Sequence, residues 1–354
     1  MSNKDKRLVI LTPAFPANES EVNWVHSLQL FLHSVKRLFP EIEIIVLSFI
    51  YPHSISNYQW NGVEIFSFDG MNFRKYKRPL LWGKIWKKLS EINKQQKITA
   101  MLSIWCSECA LVGKYFGRRN SIKHFTWICG QDARKKNKMV KFIRPLPTEL
   151  IAKSDFLVDE FYRNHHIKPA YVIPNGIDLS MYGLSSEEKN IDIMGAGSLS
   201  FLKQYDIFVE IIAKLKTNMP RIKAVLCGDG EHEEEIKKIC EELSLQQNLI
   251  LTGMLTPAES IKLMQRAKIF LHPSSYEGFS MACLEALYAG AHVISFIKPM
   301  YDEIKNWHVV TSKEEMHQKA FELLNDPRLN HEQVFTYSMD DNAASMMELF
   351  GLAD

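Results

Sequence analysis

Short runs of aliphatic and β-branched residues alternate along the chain with longer stretches in which apolar positions recur at helical spacing. In the first half the strand-like runs are Leu8 to Leu11, Ile42 to Phe49, Ala100 to Ile104 and Phe125 to Ile128. Helical periodicity runs over Val22 to Leu38, Leu80 to Lys94 and Leu146 to Ala152. The pattern restarts at Ile191 to Met194 and continues through strands at Ala224 to Cys227, Leu249 to Thr252, Ile269 to His272 and His292 to Phe296. Between them lie helical stretches at Tyr205 to Leu215, Glu233 to Leu243, Pro257 to Arg266 and Ser280 to Tyr288, and two more follow at Lys313 to Leu324 and Met339 to Phe350.

Such alternation predicts a parallel sheet wrapped by helices, and its repetition predicts two doubly wound α/β domains in tandem. Periodicity breaks at Ile173-Pro-Asn-Gly-Ile-Asp178, with a polar stretch, Leu184 to Asn190, soon after. This places a first domain at 1–170, a second at 171–336 and a closing helix within 337–354 that packs back on the body. Ligands of open α/β sheets sit at the carboxyl ends of strands, here expected to face a central cleft.

Composition narrows the class. At 354 residues, 46% hydrophobic and 24% charged, the chain is that of a folded protein with room for two cores. Without a run of about 18 apolar residues or a signal-type start, it is expected to be cytoplasmic. The six cysteines form no framework of paired spacings. The net charge of +2 conceals a basic front half, +13 over residues 1–170, and an acidic remainder at −11. A basic half suits an anionic partner such as a phosphate-bearing acceptor or an acidic membrane surface.

Within it, residues 74–88 carry seven basic side chains with Tyr76, Trp82 and Trp86 and no acid. That composition fits peripheral contact with the inner face of a membrane, through aromatic wedges and snorkelling lysines. A helix with its tryptophans turned inward and its lysines solvated has the same composition. No nucleic-acid-binding motif accompanies the charge.

The chemistry concentrates in Leu271-His-Pro-Ser-Ser-Tyr-Glu277-Gly-Phe-Ser-Met-Ala-Cys-Leu-Glu285-Ala-Leu-Tyr-Ala-Gly290. A strand ends near His272, Gly278 turns the chain, and a helix starts near Ser280, so free amides and a helix N-terminus meet at the ligand side, a natural place for a diphosphate. Glu277 and Glu285 can each accept hydrogen bonds from hydroxyls of a sugar and a ribose. Taken singly, either glutamate also serves as a helix-steadying or solvated charge.

Here the chain resembles the family-four retaining glycosyltransferases, the glycosyl transferases of group 1, which have the GT-B fold of two Rossmann-like domains. The resemblance rests on Glu277-x7-Glu285, Ile173-Pro-Asn-Gly-Ile-Asp178, Gly195-Ala-Gly-Ser-Leu199 with Lys203, Cys227-Gly-Asp-Gly230 and Leu251-Thr-Gly253, in the family's order across about residues 170–295. It implies transfer of a sugar from a UDP- or GDP-sugar to a hydroxyl of a glycan or lipid-linked acceptor, with retention of configuration. Donor binding would fall to Gly197, Ser198, Lys203, Glu277, Gly278, Phe279, Ser280 and Glu285, with Lys203 and Glu277 catalytic as well. It further implies catalysis without a cofactor or metal, loop amides and basic residues standing in for a cation. Cys227-Gly-Asp-Gly230 would be structural.

The sequence departs from the family at three places. Ser198 stands where a phosphate-binding Arg is expected, so Arg134, Lys135 and Lys136 become substitutes to examine. A His near the reacting sugar is replaced by Cys129-Gly-Gln-Asp132, which makes Asp132 a candidate for catalysis or acceptor contact, with a turn-forming Asp the alternative. The Gly-Gly loop after the first strand is replaced by Pro13 to Glu21, which puts Glu19, Ser20 and Asn23 beside an acceptor or at the cap of the helix from Val22. On the acceptor side, then, stand Asp132, Arg134 and Glu19. Cys106-Ser-Glu-Cys109, His165-His166 and His331 lack partners at metal-ligand spacing. A GT-B sugar-nucleotide epimerase and a non-catalytic nucleotide-sugar-binding subunit remain alternatives to transfer.

Overall fold

The computed structural model describes residues 6–22, 25–73, 77–182 and 188–353. Asn23, Tyr76 and most of the polar stretch from Leu184 lie outside them. The chain divides into two compact units, residues 1–175 with 339–354, and residues 176–338.

Unit 1 is built on an eight-stranded sheet in the order β3-β4-β2-β1-β5-β6-β7-β8. Its strands are β1 (Arg7–Ala14), β2 (Glu43–Tyr51), β3 (Ile55–Trp60), β4 (Val63–Phe68), β5 (Ala100–Ile104), β6 (Lys123–Trp127), β7 (Leu150–Ala152) and β8 (Tyr171–Val172). Among the described residues only β3 runs antiparallel to its neighbour. Its helices are α1 (His26–Leu38), α2 (Arg78–Gln95), α3 (Glu108–Asn120), α4 (Met139–Ile143), α5 (Asp155–His165) and, from the end of the chain, α11 (Met339–Phe350). One core joins Val9 and Leu11 of β1 to Ile45 and Leu47 of β2, beneath Leu81, Ile85 and Leu89 of α2 and Phe116 of α3. α11 packs on α1, with Phe350 stacked on Phe125 at 5.0 Å between ring centroids.

Unit 2 has a six-stranded parallel sheet in the order β11-β10-β9-β12-β13-β14. The strands are β9 (Ile191–Ala196), β10 (Ala224–Cys227), β11 (Leu249–Gly253), β12 (Ala267–His272), β13 (His292–Ser295) and β14 (Trp307–Val309). The helices are α6 (Tyr205–Asn218), α7 (Glu233–Glu242), α8 (Pro257–Arg266), α9 (Met281–Tyr288) and α10 (Lys313–Asn325). Alternate residues of one strand enter opposite cores. Ile269 and Leu271 face Phe208, Ile236 and Met316, whereas Phe270 faces Met264, Cys283 and Leu287. Burial on both faces is why these strands read as unbroken apolar runs.

Two expectations from periodicity are corrected, and one element is added. Leu146 to Ala152 is not a helix but a 3₁₀ turn, Pro147–Glu149, leading into β7. Pro145 and Pro147 have no amide to donate to a helix, and Leu150 and Ile151 pair with Thr126 and Trp127 instead. The helix read from Val22 starts at His26, with Val25 as its N-cap and no side-chain cap. Glu19 and Ser20 therefore do not cap it. The β3–β4 hairpin, unread in the sequence, turns through Asn61 and Gly62, both at positive φ, the Asn-Gly preference of tight hairpins.

Candidate functional site

In unit 2, β9 lies between β10 and β12, so the chain leaves β9 in one direction and returns to its other side for β12. That reversal opens a crevice at the carboxyl ends of β9 and β12, where ligands of such sheets bind. The two loops bordering it hold Gly197 to Lys203 and Pro273 to Ser280.

These loops are clamped together. The Ser275 amide donates to the Leu202 carbonyl at 3.0 Å, and the hydroxyls of Ser274 and Ser275 donate to the same oxygen, each at 3.2 Å. The clamp brings Lys203, at the end of the 3₁₀ turn Phe201–Lys203, into an ion pair with Glu277. Both side chains are about one-fifth exposed, 19% and 22%. Nε2 of His272, the last residue of β12, lies 3.5 Å from the same Glu277 oxygen. Burial disfavours the charge on Glu277, yet Lys203 and His272 hold its carboxyl well below the usual range. His272 is 2% exposed, and burial lowers its pKa, so the imidazole is neutral at pH 7.

The remaining donor-side candidates divide between side chain and backbone. The Gly278 amide donates to Glu277 Oε1 at 3.2 Å. The Phe279 ring is core, packed near Trp307 and Tyr337, which leaves only its main chain for a ligand. Ser280 caps α9, accepting from the Cys283 amide at 3.3 Å. Glu285 is half-buried on α9, and burial pushes its pKa up to about 7. Ser198 is exposed in the Gly197 loop.

Backbone proximity makes specific glycines necessary. The Gly197 amide donates to the Cys227 carbonyl at 3.0 Å, and the Leu199 amide to the Asp229 carbonyl at 2.7 Å. A Cβ on Gly228 would stand 1.9 Å from the Gly197 carbonyl oxygen, and one on Gly230 2.5 Å from that of Leu199. The loop after β10 thus supports the Gly197 loop from below, in line with its structural reading.

Sequence reasoning missed two polar groups here. The Tyr205 hydroxyl and Nδ1 of His272 are buried without a hydrogen-bond partner among the described residues. A Cβ on Gly197 would lie 3.0 Å from that hydroxyl. The available signal was a polar residue closing a buried strand just before Pro273.

In unit 1, Asp132 is 5% exposed and its Oδ2 accepts from the Cys129 amide at 2.8 Å, closing the 3₁₀ turn Gly130–Ala133. This is the turn-forming arrangement. Burial pushes its pKa up to about 6, against hydrogen bonds from the Cys129 and Cys106 backbone. Arg134 is partly buried while Lys135 and Lys136 are exposed. Glu19 Oε1 accepts from the Asn61 amide at 2.9 Å, tying the loop after β1 to the hairpin.

Trp82 and Trp86 of α2 pack against the core, and Trp82 Nε1 donates to Glu108 at 2.7 Å. These are the inward tryptophans of an amphipathic helix, not wedges. Arg74, Lys75 and Tyr76 lie outside the described residues. Cys106 and Cys109 are free, buried thiols, and burial raises both well above the usual range. Among the described residues no helix is long and apolar enough to cross a membrane.

Residues 182–336 match the family profile described as glycosyl transferases group 1. The gpi3 subunit of phosphatidylinositol N-acetylglucosaminyltransferase from Schizosaccharomyces pombe is 24% identical over 201 residues, 55% of this chain and 44% of that protein. The chain thus spans less than half the length of this curated relative. A glycosyltransferase from Rickettsia africae has the same fold, with a TM-score of 0.71 over 98% of both chains at 15% identity. HepE from Anabaena, solved with UDP and glucose, aligns at a TM-score of 0.66 over 98% of this chain and 95% of that one, at 14% identity. Residues 182–336 thus match the group 1 glycosyltransferases, and the fold of the two α/β units is that of the solved GT-B glycosyltransferases.

Proposed function

We propose that the protein transfers a sugar from a nucleotide-diphosphate-sugar to an acceptor hydroxyl with retention of configuration. The observation that carries this reading is the Lys203–Glu277 pair, assembled from two loops at the switch point of unit 2 beside the start of α9. A cation and a hydrogen-bond-accepting carboxylate so placed match a ligand that is anionic at one end and hydroxylated at the other.

In this reading Lys203, with main-chain amides of the 197 and 278–280 loops, neutralises the diphosphate. Glu277 accepts from hydroxyls of the sugar, and Glu285 from those of the ribose. The bond between the anomeric carbon and the diphosphate oxygen breaks, and the electron pair leaves with the nucleoside diphosphate. The acceptor oxygen bonds to the same face, and its proton passes to the departing phosphate. HepE binding UDP and glucose supports a UDP-sugar donor, and the phosphatidylinositol-directed relative supports a lipid-borne acceptor. The basic charge of unit 1 suits an acceptor with phosphate.

The test is a panel of UDP- and GDP-sugars with the purified chain. A matching donor raises the melting temperature by mass action, and it is transferred or slowly hydrolysed with release of the nucleoside diphosphate. An isomerised donor with its nucleotide still attached would indicate an epimerase, and stabilisation without turnover a binding subunit. The anomeric proton coupling of the product reports retention.

A further inference from the structure

Residues 133–148 contain six basic side chains, Arg134, Lys135, Lys136, Lys138, Lys141 and Arg144, and no acid. In this stretch Phe142 is 65% exposed and Leu146 50% exposed. Large apolar side chains so exposed within a basic segment ask for a partner that is apolar and anionic at once.

The segment is held rigidly, so the exposure is built in. Val140 and Ile143 are 3% and 1% exposed and anchor α4 in a core with Leu150 and Phe161. The Asn137 side chain donates to the carbonyls of Cys106 and Asp132, at 3.1 and 3.2 Å. Lys114, 2% exposed, pairs with Glu149 at 2.8 Å and donates to the Arg144 carbonyl. The Tyr115 hydroxyl donates to the Phe142 carbonyl at 3.3 Å. Glu149, the first acid beyond the stretch, is bound to Lys114 and Arg118.

Between this segment and the end of α5 lies a cavity of about 370 Å³, lined by Lys141, Arg144, His165 and His166 over a floor that includes Val140 and Ile167. Among the described residues no carboxylate lines it. His165 is already engaged, its Nε2 bonded to the Asp132 carbonyl at 3.1 Å. Lys141, Arg144 and His166 are exposed.

The geometry points to a docking surface for an anionic phospholipid bilayer: the α4–α5 cavity receives a headgroup phosphate while Phe142 and Leu146, next in the chain to Lys141 and Pro145, enter the interface. Charge complementarity selects this partner. Two pocket cations answer a phosphate, and the surrounding lysines answer the surface potential of an anionic leaflet. The apolar pair supplies what a soluble phosphate would not need. The inference does not depend on the donor chemistry, because binding is read without any sugar.

The test is co-sedimentation of the full chain with vesicles of phosphatidylcholine alone or of phosphatidylcholine mixed with phosphatidylglycerol. Binding is expected only to the anionic vesicles, and high salt should weaken it. Lys141→Ala with Arg144→Ala should lower the partition coefficient on the order of tenfold or more. Phe142→Ser with Leu146→Ser should lower it severalfold although no charge changes, and unchanged melting temperatures would establish that both double variants fold. No binding to anionic vesicles overturns the inference. So does binding insensitive to Phe142 and Leu146 but displaced by inorganic phosphate, which marks a site for a soluble anion. Binding lost on Lys84→Glu with Lys87→Glu but kept in both double variants moves the contact to α2 and overturns it equally.

Discussion

The Lys203 ammonium is held by the Glu277 carboxylate although the two residues lie 74 positions apart and on different strand-to-helix loops. Each charge answers the other, so neither is a stranded buried ion. In the proposed function a diphosphate and a hydroxylated ring divide that pair between them.

Lys203→Ala should therefore abolish most turnover, on the order of 100-fold or more for loss of a group that neutralises the leaving diphosphate. Stability should fall by only about 1–3 kcal/mol, since His272 still faces Glu277. Turnover and thermal melting measured on one preparation check this. Full turnover in the folded variant would remove Lys203 from the reaction.

Glu277 also leaves a mark on acid stability. Its folded pKa lies below the ordinary 4.5, so the native state binds fewer protons than the unfolded one just below that pH. The stabilisation is present above pH 4.5 and is lost as pH falls toward the folded value. The stability gap between wild type and Glu277→Gln in urea melts should narrow as pH falls from 6 to 3 (roughly the carboxylate range). A constant gap would mean that Glu277 is not held ionised.

Glu285 should give nucleotide binding a pH step. With burial pushing its pKa up to about 7, the carboxyl is largely protonated below that pH and ionised above it. If Glu285 binds the ribose as proposed, its ionised form accepts from both hydroxyls, so UDP affinity should rise as pH increases through 7. Calorimetric titration of UDP into Glu285→Gln should show that step gone.

How much of this was legible in sequence depends on the range of the interaction. β12, the turn at Gly278 and α9 follow from local signals, a buried apolar run, a glycine and a serine cap, and they appear where the pattern places them. Lys203 meeting Glu277 was not legible, because loop–loop registry depends on Leu202 accepting from Ser274 and Ser275, contacts between residues about 70 positions apart. At Leu146 to Ala152 apolar spacing fits helix and strand equally, and two prolines with free partners on β6 decide for the strand. Trp82 and Trp86 show the opposite ambiguity, one composition serving an interface or a core.

Gly228 and Gly253 separate conformational strain from collision. Both have positive φ, but a Cβ on Gly253 meets nothing within 4 Å, whereas one on Gly228 strikes the Gly197 backbone. Gly253→Ala should cost about 1 kcal/mol. Gly228→Ala should cost about 2 kcal/mol or more and also weaken UDP binding, since the Gly197 loop must move. Equal losses in chemical denaturation would show that the loops are not in register as described.

The return of α11 to unit 1 affects how the protein is made. Residues 176–338 form an insertion between the two parts of unit 1, so a ribosome finishes unit 2 before unit 1 has all its pieces. Until then Phe125 lacks the stacked ring of Phe350, Lys6 lacks the Leu352 carbonyl, and the Pro174 carbonyl lacks the Asn342 side chain. The nascent first unit waits with an uncovered face until α11 has been made.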